Sequence, residues 1–412
     1  MQHFPYLDDG EREAIFAVPP GLVLPSAPTG LAAVALGATI YSPATRPALD
    51  LDSRRLAGIG ATSHVWCLED AVPHADLLLA ERNVVASLRR LARPGASDGL
   101  PRVFLRVREP GQLRRVVERA GTAARLLSGV VLPKFRAASE VQLGEVAQLS
   151  EQLEHQLLVM PVLETSAVAW LETRRAELLH LAALCEAHRE QVLAVRVGAT
   201  DLCGLFGLRR DADTVIWDIA VVRDVLADVV NVFGRSADHV ITGPVWEHFG
   251  GCADDALDAE RLAPSPLSRA GAVVLPRAPV LVPDAPASTQ DTLMREVALD
   301  LANGMTGKTV VHPRHIGVVN ALLTVEREEY HDALAVKAAE SAGGAFASHA
   351  GNKMNEAGPH AAWARAVLRR AAVYGVLAAP DALPRLLAAG RRAHDAVFSS
   401  GQPAVQARQS VP

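Results

Sequence analysis

Glu164 and Asp201 are lone carboxylates that directly follow the short apolar runs "LLVMPVL" and "VLAVRVGAT". Two such carboxylates completed by waters suit Mg²⁺, a hard ion that takes few protein ligands and leaves room for substrate oxygens. The competing reading for Asp201 is helix capping, which Asp and Thr perform well in "ATDLCGLFG". Arg106 closes the run "VFLR" and could hold a carboxylate or a developing enolate in a charge-assisted bond, or be half of a structural ion pair. Glu69 and Asp70 are adjacent, so along a strand they point to opposite faces, although at a strand end one of them can face a site. Arg46, Arg108, Lys134, Trp246, Glu247 and His312 close or follow the remaining apolar runs. Few purely structural arguments require carboxylates and arginines at so many strand ends.

These residues need a frame that brings the ends of many strands together. The runs are "ATIYSPATR", "HVWCLEDAV", "VFLRVRE", "GVVLPKF", "LLVMPVLET", "VLAVRVGATD", "HVITGPVW" and "TVVHPRH". Most are continuously apolar, as parallel strands buried on both faces must be. Helical spacing separates them, as in residues 81–92, 171–190 and 216–234. Eight strands alternating with helices over roughly 280 residues predict an α/β fold, the (β/α)8 TIM barrel, with its chemistry at the C-terminal strand ends. An open doubly wound sheet is the alternative, but the Gly-rich turn after a first strand is missing.

This reading divides the chain into an N-terminal segment (1–30), a barrel (31–330) and a helical C-terminal extension (331–412). The barrel carries a Pro-rich insertion at 262–288, read as a long loop that could hold a hairpin in "AVVLPRAPVLV". Residues 320–344 read as helical, 361–398 as two further helices, and the last residues as frayed.

"ANGMTGKTVVHPRH" (302–315) contains a loosened phosphate-loop spelling. A phosphate loop runs from strand to helix N-terminus. Here a helical pattern (290–304) precedes the glycines and a β-branched run follows them, so the order is reversed and nucleotide binding is not expected. In "HPRH", Pro313 disfavours a zinc pair on one helix face, and His312 is expected to support the site from behind.

Lys plus Arg number 41 against 46 Asp plus Glu, a net charge of −5 without a basic block, which argues against a nucleic-acid partner. The opening "MQHFPYLDDGEREAIF" lacks a basic region followed by an apolar run, and no stretch reaches membrane length, so a cytoplasmic protein is expected. Cys67, Cys185, Cys203 and Cys252 lack metal-ligand spacing and are expected to be reduced and buried.

Eight motifs, in order, resemble the citrate lyase beta-subunit-like and malyl-CoA lyase-like branch of the HpcH/HpaI aldolases. They are "SPATR" (42–46), "CLEDAV" (67–72), "LRVR" (105–108), "LPK" (132–134), "ET" (164–165), "GATDL" (198–202), "GMTGKTVVHPRHIGVVN" (304–320) and "GNKMNEAGPH" (351–360). The resemblance implies a homo-oligomeric TIM barrel, trimer or hexamer, with Mg²⁺ on Glu164 and Asp201 and with Arg106 steadying negative charge on the reacting acyl oxygen. Glu69 and Asp70 stand in its "CLEDAV" motif as catalytic candidates, Arg46, Arg106 and Lys134 are substrate-binding candidates in its motifs, and Arg108, an added arginine at the rim, would bind a more anionic substrate. Glu356 stands where a neighbouring subunit's C-terminal segment supplies an acid/base carboxylate. The implied activity is Mg²⁺-dependent carbon–carbon cleavage, or its reverse, of a hydroxy-acyl-coenzyme A thioester or related keto or hydroxy acid.

Cys67, Arg108 and Thr200 depart from the family pattern. They mark a divergent member, similar to the C–C bond lyase-like group associated with tellurium-resistance gene clusters, and put thioester use in question. A class II aldolase acting on free acids and a non-catalytic binding barrel are the alternatives.

Overall fold

A computed structural model describes residues 1–24, 26–95, 97–235, 239–249 and 289–398. The insertion at 262–288 and the last residues lie outside the described part. The chain opens with α1 (Asp9–Ile15) and β1 (Phe16–Val18), and α2 (Thr29–Val34) then leads into the barrel. Asp8 caps α1 by accepting the Glu11 N–H at 2.7 Å, while the Glu11 carboxylate accepts the Asp8 N–H at 3.4 Å.

The eight apolar runs form the eight parallel strands of a closed barrel: β2 (Ala38–Pro43), β3 (Ser63–Cys67), β4 (Arg102–Arg106), β5 (Leu127–Leu132), β6 (Leu158–Leu163), β7 (Val195–Val197), β8 (Ile241–Trp246) and β9 (Lys308–Val310). They pair in sequence order, and β9 closes on β2 with Thr309 beside Thr39. Closure requires glycine at 307, where φ is +84° and a Cβ would stand 2.8 Å from the Gly37 carbonyl oxygen.

Between strands run α3 (Leu49–Gly58), α4 (Leu77–Leu91), α5 (Gln112–Ala120), α6 (Glu140–Leu153), α7 (Ser166–Ala169), α8 (Leu171–Ala187), α9 (Ala199–Leu205), α10 (Ala220–Phe233) and α11 (Thr289–Ala302). Their apolar faces and the outward strand residues make the main core, for example Val84, Leu88, Leu105, Leu132 and Val146. The expected helix at 216–234 is divided, because a 3-10 turn over Ile216–Asp218 precedes α10. Inside the barrel, Ala32, Ala33 and Leu36 pack on Val65, Phe104, Val131, Met160 and Val162. The entry segment thus plugs the N-terminal mouth and leaves the other rim for chemistry.

Beyond β9 come α12 (Arg314–Leu322), α13 (Arg327–Ala339), β10 (Ala345–Ala347), β11 (Met354–Glu356), α14 (Ala361–Tyr374), β12 (Val376–Leu377) and α15 (Ala382–Phe398). The helical reading of 320–344 is interrupted between α12 and α13, where Val325 bridges Val376 and its N–H donates to Gly375 O at 3.0 Å. Two small pairings were not expected from sequence: the β10–β11 hairpin and the antiparallel β1–β12 pair, which joins the N-terminal segment to the C-terminal extension. No helix among the described residues is long and apolar enough to cross a membrane.

The phosphate-loop look-alike is a helix, a turn and a strand, in the expected order. Lys308 opens β9, is fully buried, and lies 2.7 Å from both Glu296 and Asp300 of α11.

Candidate active site

The C-terminal strand ends gather five charged side chains around Lys134. This lysine follows β5 in the left-handed region (φ 48°), an unusual conformation for a residue with a side chain. Its backbone N–H donates to Glu164 Oε1 at 2.8 Å. Its ammonium lies 2.7 Å from Glu69 Oε1, 3.5 Å from Asp70 Oδ2 and 3.7 Å from Asp201 Oδ1. One residue therefore touches carboxylates presented after β3, β6 and β7.

Glu69 is buried two residues beyond β3, forms an ion pair with Arg106 at 3.2 Å and accepts from the Asp70 N–H at 2.8 Å. Burial alone would raise its pKa, but these bonds, with Lys134 and Arg106, pull it down to about 2. Asp70 is half-exposed, and its pKa is raised by burial and by the Glu69 charge beside it. Arg106 ends β4 and donates through Nε to Cys67 Sγ at 3.1 Å; its guanidinium lies 5.4 Å from the centre of the Tyr41 ring.

Glu164 emerges directly from β6 and is 4% exposed. Burial, then the Asp201 charge, push its pKa up to about 8. It lies against Gly198, where a Cβ would stand 1.7 Å from Oε2. Asp201 sits in the first turn of α9, whose N-cap is Gly198 without a side-chain cap bond, so the capping alternative is not realised.

No group of three or more His, Cys, Asp or Glu side chains among the described residues could ligate a metal. Mg²⁺ is commonly held by one or two carboxylates plus water and substrate oxygens, and Glu164 and Asp201 are two carboxylates close enough for the charge of one to act on the other. A buried carboxylate crowded by a second one is also the environment a divalent cation relieves. The residues fit the ion that the sequence reading assigned to them.

Residues 30–376 match the family described as "C-C_Bond_Lyase of the TIM-Barrel fold". The chain belongs to this family. No curated protein matches the sequence. A solved citrate lyase from Burkholderia xenovorans LB400 is similar in fold at 17% identity, with a TM-score of 0.55 over 85% of this chain and 96% of that one. The protein CitE from Mycobacterium tuberculosis, solved with magnesium, acetoacetate and coenzyme A, gives 20% identity and a TM-score of 0.49 over 81% and 97% of the two chains. At 17% identity the Burkholderia structure speaks for the barrel alone, while the family match agrees with the resemblance carried by the eight motifs.

In this family member the remaining expected residues are distributed unevenly. Arg46 is exposed and engaged by Asp52 through two bonds of 2.5 and 3.0 Å. Arg108 donates to the carbonyls of Glu69 and Val72 and contacts His74, which fastens the loop carrying Glu69 and Asp70. Glu356 lies on β11, where its N–H meets His360 Nδ1 at 3.0 Å. Among the described residues, no hydrogen bond or ion pair joins Glu356 of the same chain to the Lys134 cluster. His312 stacks on Phe249 and neighbours His315 and His394. Glu247 accepts from Thr200, next to Asp201, and lies 3.6 Å from Arg210.

Two inward residues escaped the sequence reading, which examined only the strand ends. Tyr41 lies within β2, and Arg196 is a lone cation in the middle of the apolar run of β7. A charge inside a continuously apolar strand was the available signal for Arg196.

Proposed function

We propose that this protein is a Mg²⁺-dependent carbon–carbon lyase. It would cleave a hydroxy-acyl-coenzyme A thioester, or a related hydroxy or keto acid, or run the reverse condensation. The observation that carries this reading is the meeting of Glu164, Asp201, Glu69 and Asp70 on Lys134, with Arg106 across Glu69.

Glu164 and Asp201 would hold the ion. Once bound, Mg²⁺ supplies Lewis acidity to the carboxylate and neighbouring oxygen of a keto or hydroxy acid. Lys134 fixes Glu164 through its backbone N–H and balances Glu69 and Asp201 through its ammonium. Arg106 presents a guanidinium to the oxygen on which enolate charge develops. Asp70 is the residue in the cluster suited to exchange the hydroxyl proton, because it is exposed and its proton affinity is raised. Glu69, held ionised by Arg106 and Lys134, acts as an anchor for them. Glu356 of the partner subunit would complete the site from an exposed hairpin in a homo-oligomer, and a cytoplasmic location follows from the same reading.

Thermal stabilisation by Mg²⁺ with oxaloacetate, pyruvate, glyoxylate or acetyl-coenzyme A tests the proposal and its substrate class. A shift with the thioester supports the acyl-coenzyme A reading. A shift with keto acids only favours an aldolase acting on free acids, and no shift with any of them would contradict the lyase reading.

A further inference from the structure

Below the rim lies a buried cation that has no carboxylate partner among the described residues. Arg196 is 1% exposed, and its guanidinium donates to Thr39 Oγ1 at 3.3 Å, Thr309 Oγ1 at 2.5 Å and Met160 Sδ at 3.6 Å. All three acceptors are neutral. The guanidinium also lies 5.6 Å from the centre of the Tyr41 ring. Arg106 approaches the same ring at 5.4 Å. Two cations thus flank one tyrosine ring, and among the described residues only Arg106 of the two has a carboxylate partner, Glu69.

A buried charge is costly unless paired. Cations gathered around a weak acid stabilise that acid's conjugate base. Tyr41 packs on the closed apolar layer that includes Val65, Phe104 and Met160, yet it keeps partial exposure. Its open side is therefore toward the rim cluster. Burial holds the Tyr41 phenol above its ordinary range; Arg196 of β7 and then Arg106 of β4 oppose that rise, while Cys67 of β3 and Glu164 after β6 add to it.

We propose that Tyr41 is a further catalytic residue, the acid that protonates the enolate carbon released by carbon–carbon cleavage, and that Arg196 is the positioning residue that balances its charge. The inference rests on the lyase reading above. The enolate electron pair forms a C–H bond with the Tyr41 proton, and the phenol O–H bond breaks. The negative charge then resides on a phenolate between Arg196 and Arg106. The proton released from the substrate hydroxyl returns through solvent to restore the phenol. In condensation the phenolate removes the same carbon-bound proton.

The test uses the full chain with Mg²⁺ and follows exchange of pyruvate methyl protons, or acetyl protons of acetyl-coenzyme A, into deuterated water by NMR. Tyr41→Phe should slow exchange about 100-fold while Mg²⁺ affinity measured by calorimetry stays unchanged. Arg196→Met should slow it roughly ten-fold, and Arg196→Lys, which keeps the charge, should regain part of the rate. Ultraviolet difference titration of wild type against Tyr41→Phe isolates the Tyr41 ionisation, which Arg196→Met should move to higher pH by about one unit. Undiminished exchange in Tyr41→Phe, absence of exchange in a Mg²⁺-binding wild type, or a Tyr41 titration indifferent to Arg196 would each overturn the proposal. A wild type that fails to bind Mg²⁺ instead overturns the lyase reading, and the titration still decides the Arg196–Tyr41 coupling.

Discussion

Glu164 occupies the space that any side chain at position 198 would need. A Cβ on Gly198 would stand 1.7 Å from Glu164 Oε2 and 2.6 Å from its Cβ. The two residues sit at the ends of neighbouring strands β6 and β7, and the Gly198 N–H donates to Leu163 O at 3.2 Å. Neither backbone has freedom to withdraw, so the carboxylate must move. Gly198→Ala is predicted to weaken Mg²⁺ binding roughly 10- to 100-fold, the range typical of lost support around a metal ligand. Calorimetric titration with Mg²⁺ checks this, and an unchanged affinity would show that Glu164 does not depend on the glycine.

Lys308 separates a structural charge cluster from the site. Its ammonium is fully buried between Glu296 and Asp300, and Glu296 also binds Arg210 at 2.5 Å. Lys308→Met leaves buried carboxylates short of a counter-charge and should cost about 3–5 kcal/mol of stability. Mg²⁺ affinity of the folded fraction should not change. Urea unfolding and calorimetry on the same preparation separate the two effects. A stable variant would mean that the cluster readjusts, whereas lost Mg²⁺ binding would mean that it reaches the site.

His64 should make the barrel acid-sensitive. It is fully buried between Ser53 and Ser42, with ring nitrogens 2.8 and 2.9 Å from their hydroxyls, and burial lowers its pKa to about 3. The unfolded chain takes up this proton near pH 6.5, well before the folded chain does. The resulting stability is therefore complete above pH 6.5 and is lost progressively as pH falls from 6.5 toward 3. At pH 5 the loss amounts to about 2 kcal/mol. Chemical unfolding of wild type and His64→Gln between pH 7 and 5 checks the sign: the wild-type curve should fall more steeply, and parallel curves would contradict the assignment.

The barrel was readable because buried parallel strands leave continuous apolar runs, and all eight such runs became strands. The rim was readable for the same reason, since a charge directly after such a run must emerge at one end of the barrel. That logic brought Glu69, Asp70, Arg106, Lys134, Glu164 and Asp201 to one place. It did not separate these residues from Arg46, which also follows a strand but is engaged by Asp52 on α3. Pairing of that kind depends on the angle at which a helix returns, which strand spacing does not encode. Tyr41 and Arg196 lie one layer lower, where inward and outward positions alternate, and a strand apolar on both faces conceals that alternation. The β1–β12 and β10–β11 pairs were hidden because strands of two or three residues carry too few positions to show a period.

Glu164 and Asp201 are expected to hold a divalent cation jointly. Calorimetric titration of the metal-stripped full chain with Mg²⁺ measures this directly, beside Glu164→Gln and Asp201→Asn. The wild type should bind one Mg²⁺ per chain and each variant should lose binding, with both variants still folded by circular dichroism. Equal Mg²⁺ affinity in the wild type and the two variants, or no binding in any of them, would contradict it.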